Sequence, residues 1–424
     1  MDDFPKIRWL QLAAGVLGMV AVTNLQYAWT FFVSPLQERF GWSKAEIQIA
    51  FSIFVAAETW LVPIEAWLAD RFGTRKLVFV GGILVGLSWY INAHAVELWH
   101  IYAGNAIGGA GAGIVYGISI GSALRWFPDR RGLAAGITSA AFGAGSALTV
   151  VPIYRTIHTY GYQTAFLWFG LAQGLVVLLT ALVLRPPRPG ELPQVVNAGV
   201  TQSTRDYHPL EMLRTRAFWT MYVLMTMVTV GGMMATAQLD PMARSLGVAD
   251  VPFTILGWTV AAVALAGMID RVLNGLTRPF FGWISDRAGR ENTMFFAFLL
   301  EGLAILVWIQ TAHIPIMFVI FSGLVYFAWG EIYSLFPALC GDMFGRRYAT
   351  TNYAFLYTAK GTATLLVPLG SVIYAQTGSW TPVFALAIAF DWIVALAALF
   401  VLKPMLRQWH AAEEQAEATP APAE

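Results

Sequence analysis

Apolar stretches long enough to cross a bilayer recur along nearly the whole chain, separated by short polar loops. A spanning helix needs about 20 predominantly apolar residues. Twelve stretches meet that need: 10–35, 46–68, 76–95, 99–124, 133–157, 164–184, 218–244, 254–284, 292–311, 315–341, 349–374 and 382–402. The longest polar interruption, Arg185 to Arg216, is rich in Pro, Arg and Thr and leaves six stretches on either side. The pattern predicts an all-α membrane protein of twelve transmembrane helices in two six-helix bundles. The N-terminal bundle is expected over residues 1–184, a cytoplasmic linker over 185–217 and the C-terminal bundle over 218–403. The tail at 404–424, ending in AAEEQAEATPAPAE, reads as disordered.

Composition narrows the class. The chain is 57% hydrophobic and 12% charged, with mean hydropathy +0.60, whereas a soluble domain carries roughly 25% charged residues. The net charge of +1 and the lack of a basic run give no footprint for nucleic acid. The single cysteine, Cys340, excludes an intramolecular disulfide, and the six histidines form no metal-ligand spacing. No nucleophile–base pair, metal cluster or cofactor motif points to an enzyme, so no cofactor is expected. The first apolar stretch, Leu10 to Phe32, is full length and lacks a small-residue cleavage pattern, so it is expected to remain as a span.

Basic residues fix an orientation. With the amino terminus inside, the inner loops and termini hold nineteen Lys and Arg, from Lys6 and Arg8 to Lys403 and Arg407. The outer loops and span ends hold four: Arg39, Lys44, Arg155 and Arg244. The positive-inside rule then expects both termini in the cytoplasm. The three remaining basic residues, Arg271, Arg278 and Lys360, lie within spans.

The two halves repeat. WLADRFGTRK (Trp67 to Lys76) matches WISDRAGREN (Trp283 to Asn292), so that Asp70 corresponds to Asp286. At nearly the same shift, WFPDRRGLA (Trp126 to Ala134) resembles MFGRRYATT (Met343 to Thr351). A two-fold repeat of six spans is a transporter architecture, with the substrate near mid-membrane between repeats. The loop G-x-x-x-D-R-x-G-R-[RK] resembles the signature of the major facilitator superfamily. Gly282, Asp286, Arg287, Gly289 and Arg290 match it in the second half. Asp70, Arg71, Gly73, Arg75 and Lys76 match it in the first, with Ala66 in place of the leading glycine. These charged loops are expected to latch helix ends at a cytoplasmic gate and not to touch substrate. Gly109, Gly113, Gly117 and Gly121 recur every fourth residue on the fourth stretch, a side-chain-free stripe that lets another helix approach closely.

The chemistry is expected inside the membrane. A charge at bilayer depth costs from about 2.5 to over 10 kcal/mol, so it faces a cavity with a partner. Arg278 lies eight residues before Asp286, about 12 Å into the membrane at helical rise. Lys360 lies eleven residues into its span, about 17 Å in. Their first-half counterparts, Val62 and Gly143, are uncharged. Tyr357 and Lys360 share a helix face, as do Trp329 and Tyr333, and seven-residue spacing extends the Arg278 stripe to Arg271. Acids also lie within spans: Glu58, Glu65, Asp270, Glu301, Glu331 and Asp391. Glu58, Glu65 and Glu331 are candidates for balancing the cations or carrying a proton; spacing leaves both roles open.

Several stretches resemble the oxalate:formate antiporter family within that superfamily. They include LQYAWTFFVSPL (Leu25 to Leu36), GAGAGIVYGISI (Gly109 to Ile120), RWFPDRRGLAAG (Arg125 to Gly136), EMLRTRAFW (Glu211 to Trp219), NGLTRPFFGWISDRAGR (Asn274 to Arg290) and NYAFLYTAK (Asn352 to Lys360). The resemblance implies a secondary active antiporter of the inner membrane, exchanging oxalate for formate by alternating access as a monomer. It implies that Arg278 and Lys360 grip the two carboxylates, with Gln26, Tyr27, Tyr116, Trp329, Tyr333 and Tyr357 lining the cavity. Tyr357 stands where the family pattern has tryptophan, and Glu58, Glu65 and Glu331 are carboxylates the pattern lacks. These acids leave room for the alternative, a proton-coupled monocarboxylate symporter. A non-transporting sensor on a transporter scaffold would need a soluble signalling domain, and the tail after Pro404 is too short for one.

Overall fold

A computed structural model describes residues 6–192, 200–255 and 258–418. The first six helices are α1 (Ile7–Tyr27), α2 (Trp29–Phe40), α3 (Lys44–Trp60), α4 (Val62–Phe72), α5 (Thr74–Ala93) and α6 (Leu98–Trp126). α7 (Arg131–Ala144), a 3-10 turn at 145–148, α8 (Val150–Tyr160) and α9 (Tyr162–Val183) follow. The short α10 (Pro209–Met212) precedes α11 (Arg216–Ser245), strands β1 (Pro252–Ile255) and β2 (Trp258–Ala261), and α12 (Ala262–Ala288). The chain ends in α13 (Arg290–Thr311), α14 (Pro315–Trp329), α15 (Ile332–Phe344), α16 (Ala349–Thr364), α17 (Pro368–Thr377), α18 (Thr381–Ala397), a π turn at 398–402 and α19 (Lys403–Ala418).

Among the described residues eight helices, counting α14–α15 and α18–α19 as continuous, are long and apolar enough to cross a membrane, and the bent pair α3–α4 makes nine. The other three of the twelve stretches fail for visible reasons. The fifth is interrupted by the 3-10 turn between α7 and α8. The eleventh breaks between α16 and α17, where Pro368 has no N–H for the carbonyl four residues back. The eighth carries Asp270, Arg271 and Arg278, and its helix α12 runs on through Asp286 and Arg287.

Three expected boundaries are corrected. The eighth stretch does not begin as helix at 254. The segments 252–255 and 258–261 pair as antiparallel strands, Phe253 opposite Val260 and Thr254 opposite Thr259, and their sequence is rich in aromatic and β-branched residues that suit a pleated strand. The first stretch is not one helix but breaks at Ala28. The tail expected to be disordered from 404 is helical as far as Ala418. Its alanine, glutamate and glutamine are strong helix formers, and it is anchored. The Trp409 ring lies 5.1 Å from Tyr207 and 5.8 Å from Phe344, and Glu413 Oε1 accepts from Ser203 Oγ at 2.6 Å and the Tyr207 hydroxyl at 2.8 Å. Residues 419–424 lie outside the described residues. At the start of the expected linker, Arg185 donates to both Glu191 oxygens at 2.7 and 2.6 Å. That hydrogen bond holds the Glu191 carboxyl down to about 2.

The chain forms two compact units that exchange short segments. Unit 1 is residues 1–128, 137–195 and 346–361, and unit 2 is 129–136, 196–345 and 362–424. In unit 1, α6 lies centrally against α1, α3 and α5, with α9 beside α5, and 89% of its apolar window is buried. Phe32 stacks on Phe166 at 3.9 Å, with Trp89 edge-on to both. In unit 2, α13 packs on α14 and α18, and α12 on α14, around a core that includes Met234, Trp308, Phe318 and Phe384. Large apolar side chains such as Leu17, Leu171, Phe296 and Phe400 are more than half exposed, as expected where the surrounding solvent is hydrocarbon.

The repeated acidic loops explain the exchanged segments. Asp286 accepts from the backbone N–H groups of Gly132 and Leu133 at 2.9 Å each, and so caps the start of α7. Its first-half counterpart, Asp70, accepts from Thr351 Oγ1 at 2.5 Å near the start of α16 and pairs with Arg125. Each loop thus ties down the first turn of a helix from the other sequence half. Sequence spacing identified these loops but not that reciprocal arrangement.

In the glycine stripe of α6, Gly109, Gly113 and Gly117 lie against α3 and α4, and Gly121 lies against Thr350 of α16. A Cβ added at Gly109 would meet the Phe54 carbonyl and lie 3.0 Å from the Glu58 nitrogen. One at Gly113 would lie 3.0 Å from the Glu58 carbonyl and 2.7 Å from Glu65 Oε2. Backbone atoms cannot yield as a flexible side chain does. Gly109→Val is expected to lower stability by about 1–3 kcal/mol or more, the range of overpacking, whereas Gly247→Ala, whose Cβ meets nothing, is limited to the cost of its positive φ. Thermal unfolding of the detergent-purified variants checks the contrast.

Candidate functional site

In unit 1 the site grows from a helix break. Pro63, in the first turn of α4, lacks the N–H that would bond the Thr59 carbonyl, so α3 ends at Trp60 and α4 leaves at 44°. Glu58 falls in the last turn of α3 and Glu65 in the first turn of α4. The bend leaves the two carboxyls within electrostatic reach of one another.

Glu58 is completely buried and meets Lys360, itself 4% exposed. Lys360 Nζ donates to Glu58 Oε2 at 2.9 Å and Oε1 at 3.2 Å. It also donates to the Tyr357 hydroxyl at 2.8 Å, which in turn donates to Glu58 Oε1 at 2.9 Å. The result is a closed triangle of ammonium, phenol and carboxylate inside the protein. Tyr357 stacks on Tyr116 at 4.4 Å. Phe142 is edge-on to Tyr116 at 5.3 Å and to Tyr27 at 5.9 Å, and its ring centre lies 5.7 Å from Lys360 Nζ. The structure therefore brings Tyr27, Tyr116, Tyr357, Lys360 and Glu58 together. Gln26, beside Tyr27 in sequence, is half-buried, and its side-chain oxygen accepts no hydrogen bond.

In unit 2 the corresponding group centres on Arg278, which is 3% exposed on α12. Its Nη2 donates to Asn274 Oδ1 at 2.7 Å, one turn earlier on the same helix. Its guanidinium lies over the Tyr333 ring, 4.7 Å from the centroid, a cation–π contact that strengthens when desolvated. Trp329 is edge-on to Tyr333 at 5.9 Å, which bears out their expected common face. Glu331 is buried and interacts electrostatically with Arg278. Among the described residues no other residue donates a hydrogen bond to its carboxyl oxygens, nor to those of Glu301 and Asp391. Arg271, expected to continue the Arg278 stripe, is exposed where Arg278 is buried.

The charged loops form a separate network. Arg290 Nη1 donates to Asp286 at 2.6 Å and its Nε to Asp342 Oδ2 at 2.8 Å, while Arg131 donates to Asp342 Oδ1 at 2.6 Å. Arg71 lies over Trp67 and Arg287 over Trp283, and Arg75 is exposed. Sequence reasoning missed Asp342, Asn274 and Phe142. Asn274 was available as a partner one helical turn before Arg278. Asp342 meets Arg131 across 211 positions, and Phe142 carries no charge, so neither had a local signal. Among the described residues no group of His, Cys, Asp or Glu is placed to hold a metal ion.

The family model described as Major Facilitator Superfamily matches residues 14–273 and 231–423. The chain belongs to the major facilitator superfamily. It is 34% identical over 404 residues to the oxalate:formate antiporter of Oxalobacter formigenes, covering 94% of this chain and 93% of that one. That similarity places it, within the superfamily, in the oxalate:formate antiporter family. It is 24% identical to the uncharacterised transporter YhjX of Escherichia coli, over 85% of this chain and 86% of that one. Among solved structures it is similar to the transporter FucP in its outward conformation, with TM-score 0.70 and 14% identity over 93% of this chain and 99% of that one. The proton:xylose symporter XylE matches with TM-score 0.67 and 15% identity, over 93% and 96%. At such identities the solved structures bear on the fold alone. The protein is thus a multi-pass membrane transporter of the major facilitator fold.

Proposed function

We propose that this member of the superfamily exchanges small carboxylate anions across the bacterial inner membrane by alternating access, taking oxalate in and passing formate out. The observation that carries the reading is its pair of buried cations, Arg278 and Lys360, each seated against a tyrosine. Its 34% identical relative, named for oxalate and formate, supports the choice of anions.

The physics fits a small planar dianion. One cation leaves oxalate with net charge, and two neutralise it. Arginine offers a planar fork to one carboxylate and lysine a point charge to the other. In this reading Gln26, Tyr27, Tyr116, Trp329, Tyr333 and Tyr357 line the path and exclude water. The excess of basic residues on one side supports cytoplasmic termini, and the carrier works as a monomer.

The test is radiolabelled oxalate uptake into proteoliposomes preloaded with oxalate, with formate or with neither. The reading expects uptake only in preloaded vesicles, and no oxalate uptake under any loading overturns it. A second reading, proton-coupled monocarboxylate symport, is favoured by the carboxylate of Glu58 on Lys360. Uptake driven by a pH gradient into vesicles holding no counter-substrate would select it.

A further inference from the structure

The Lys360 side chain, assigned above to one substrate carboxylate, already holds a carboxylate. Both Glu58 oxygens lie within 3.2 Å of Nζ, and the Tyr357 hydroxyl bridges the pair. Glu58 is 0% exposed, so water does not screen it. The ionised pair has no net charge, and the two-cation arithmetic for a dianion fails while Glu58 stays ionised.

We propose that Glu58 is a built-in counter-anion of Lys360 that must take up one proton when a dicarboxylate binds, so that oxalate travels with a proton and formate without one. The inference rests on the carboxylate-exchange reading above. In the loading step the proton leaves water on the substrate's side and binds a Glu58 carboxyl oxygen. Lys360 Nζ is released to a substrate carboxylate, and no covalent bond in the substrate changes. Formate, with a single negative charge, needs only Arg278 and leaves the Glu58–Lys360 pair ionised. A dianion plus a proton carries the same charge as formate, so the exchange is electroneutral.

The surroundings suit this role. The charged and titratable groups facing Glu58 are Lys360 and Tyr357 from α16 and Glu65 from α4, with Tyr116 of α6 behind the Tyr357 ring. Protonated Glu58 keeps the Tyr357 hydroxyl as its partner. Glu301, Glu331 and Asp391 differ, because among the described residues no other residue donates a hydrogen bond to their carboxyls. In unit 2, Arg278 donates to neutral Asn274 and interacts electrostatically with Glu331.

The test uses formate-loaded proteoliposomes of the full chain, with external oxalate, an internal pH dye and a potassium diffusion potential. In the wild type, oxalate accumulation is expected to ignore the potential, and one proton enters per oxalate. In Glu58→Gln, proton entry is lost and accumulation follows the potential, by up to about 50-fold per 100 mV for one net charge. Wild-type exchange that follows the potential without proton entry overturns the proposal, as does proton entry that survives in Glu58→Gln. Where the variant binds but does not exchange, calorimetry of oxalate binding in buffers of different ionisation enthalpy decides. One proton taken up by the wild type and none by the variant supports the proposal, and equal counts overturn it. Where Glu58→Gln does not fold, the wild-type proton count decides alone. Absence of both exchange and binding in the wild type removes the carboxylate reading and this inference with it, an outcome distinct from exchange with the wrong charge count.

Discussion

Arg278→Gln is expected to cut oxalate exchange by about 30-fold to several thousand-fold. That range corresponds to about 2–5 kcal/mol for losing one side of a desolvated, charge-assisted contact. Gln retains a donor but neither the charge nor the fork. Arg278→Lys restores the charge alone and should recover only part of the rate. Its neutral partners Asn274 and Tyr333 lose no ionic bond, whereas buried Glu331 loses a nearby positive charge, so exchange is compared only in preparations whose thermal unfolding shows a folded protein. Lys360→Gln should lose exchange to a similar degree and also lose stability, since it leaves Glu58 buried without its ammonium. The double variant Glu58→Gln/Lys360→Gln should regain that stability but not the transport. Exchange rates in proteoliposomes, read beside thermal unfolding of the same preparations, separate the two effects. Full exchange by folded Arg278→Gln would remove the basis of the two-cation site.

Asp342→Ala should produce the largest loss of stability in unit 2. Asp342 is 2% exposed and accepts from Arg131 on one oxygen and Arg290 on the other. Deleting it removes the carboxylate that both buried guanidiniums share and leaves Arg290 on Asp286, whose oxygens also cap α7. Breaking a buried pair by removing one partner costs about 3–5 kcal/mol, because the remaining charge stays desolvated. Asp342→Asn preserves shape and one acceptor oxygen and should fall between Ala and wild type. Arg287→Ala, which removes an exposed cation over Trp283, should change little. Melting of the purified variants at one detergent and salt condition tests the order Ala, Asn, wild type. Equal stability of Asp342→Ala and wild type would mean that the network does not hold unit 2 together.

Much of this protein follows from one-dimensional pattern. Span-length apolar runs, two of them carrying a deep cation, set the class, because hydrocarbon demands helices and penalises charge whatever the neighbours are. The repeated Asp-Arg loops located both halves of the superfamily signature, and helical spacing correctly paired Tyr357 with Lys360 and Trp329 with Tyr333.

Tertiary structure decided what the pattern left open. Sequence left Glu58, Glu65 and Glu331 as candidates for balancing a cation without assigning one. Only the fold gave Glu58 to Lys360 through an ion pair and set Glu331 within electrostatic reach of Arg278. Partners 302 positions apart leave no local trace. The paired strands at 252–255 and 258–261 and the helix after Pro404 were missed for the same reason. Hydropathy reports how apolar a segment is, while strand pairing or anchoring by Trp409 and Glu413 depends on which surfaces meet. The sequence by itself determined that this chain crosses a membrane in repeated halves and carries cations at depth, since those follow from local solvation. Which acid meets which cation, and so the charge left for a substrate, was decided by three-dimensional packing alone.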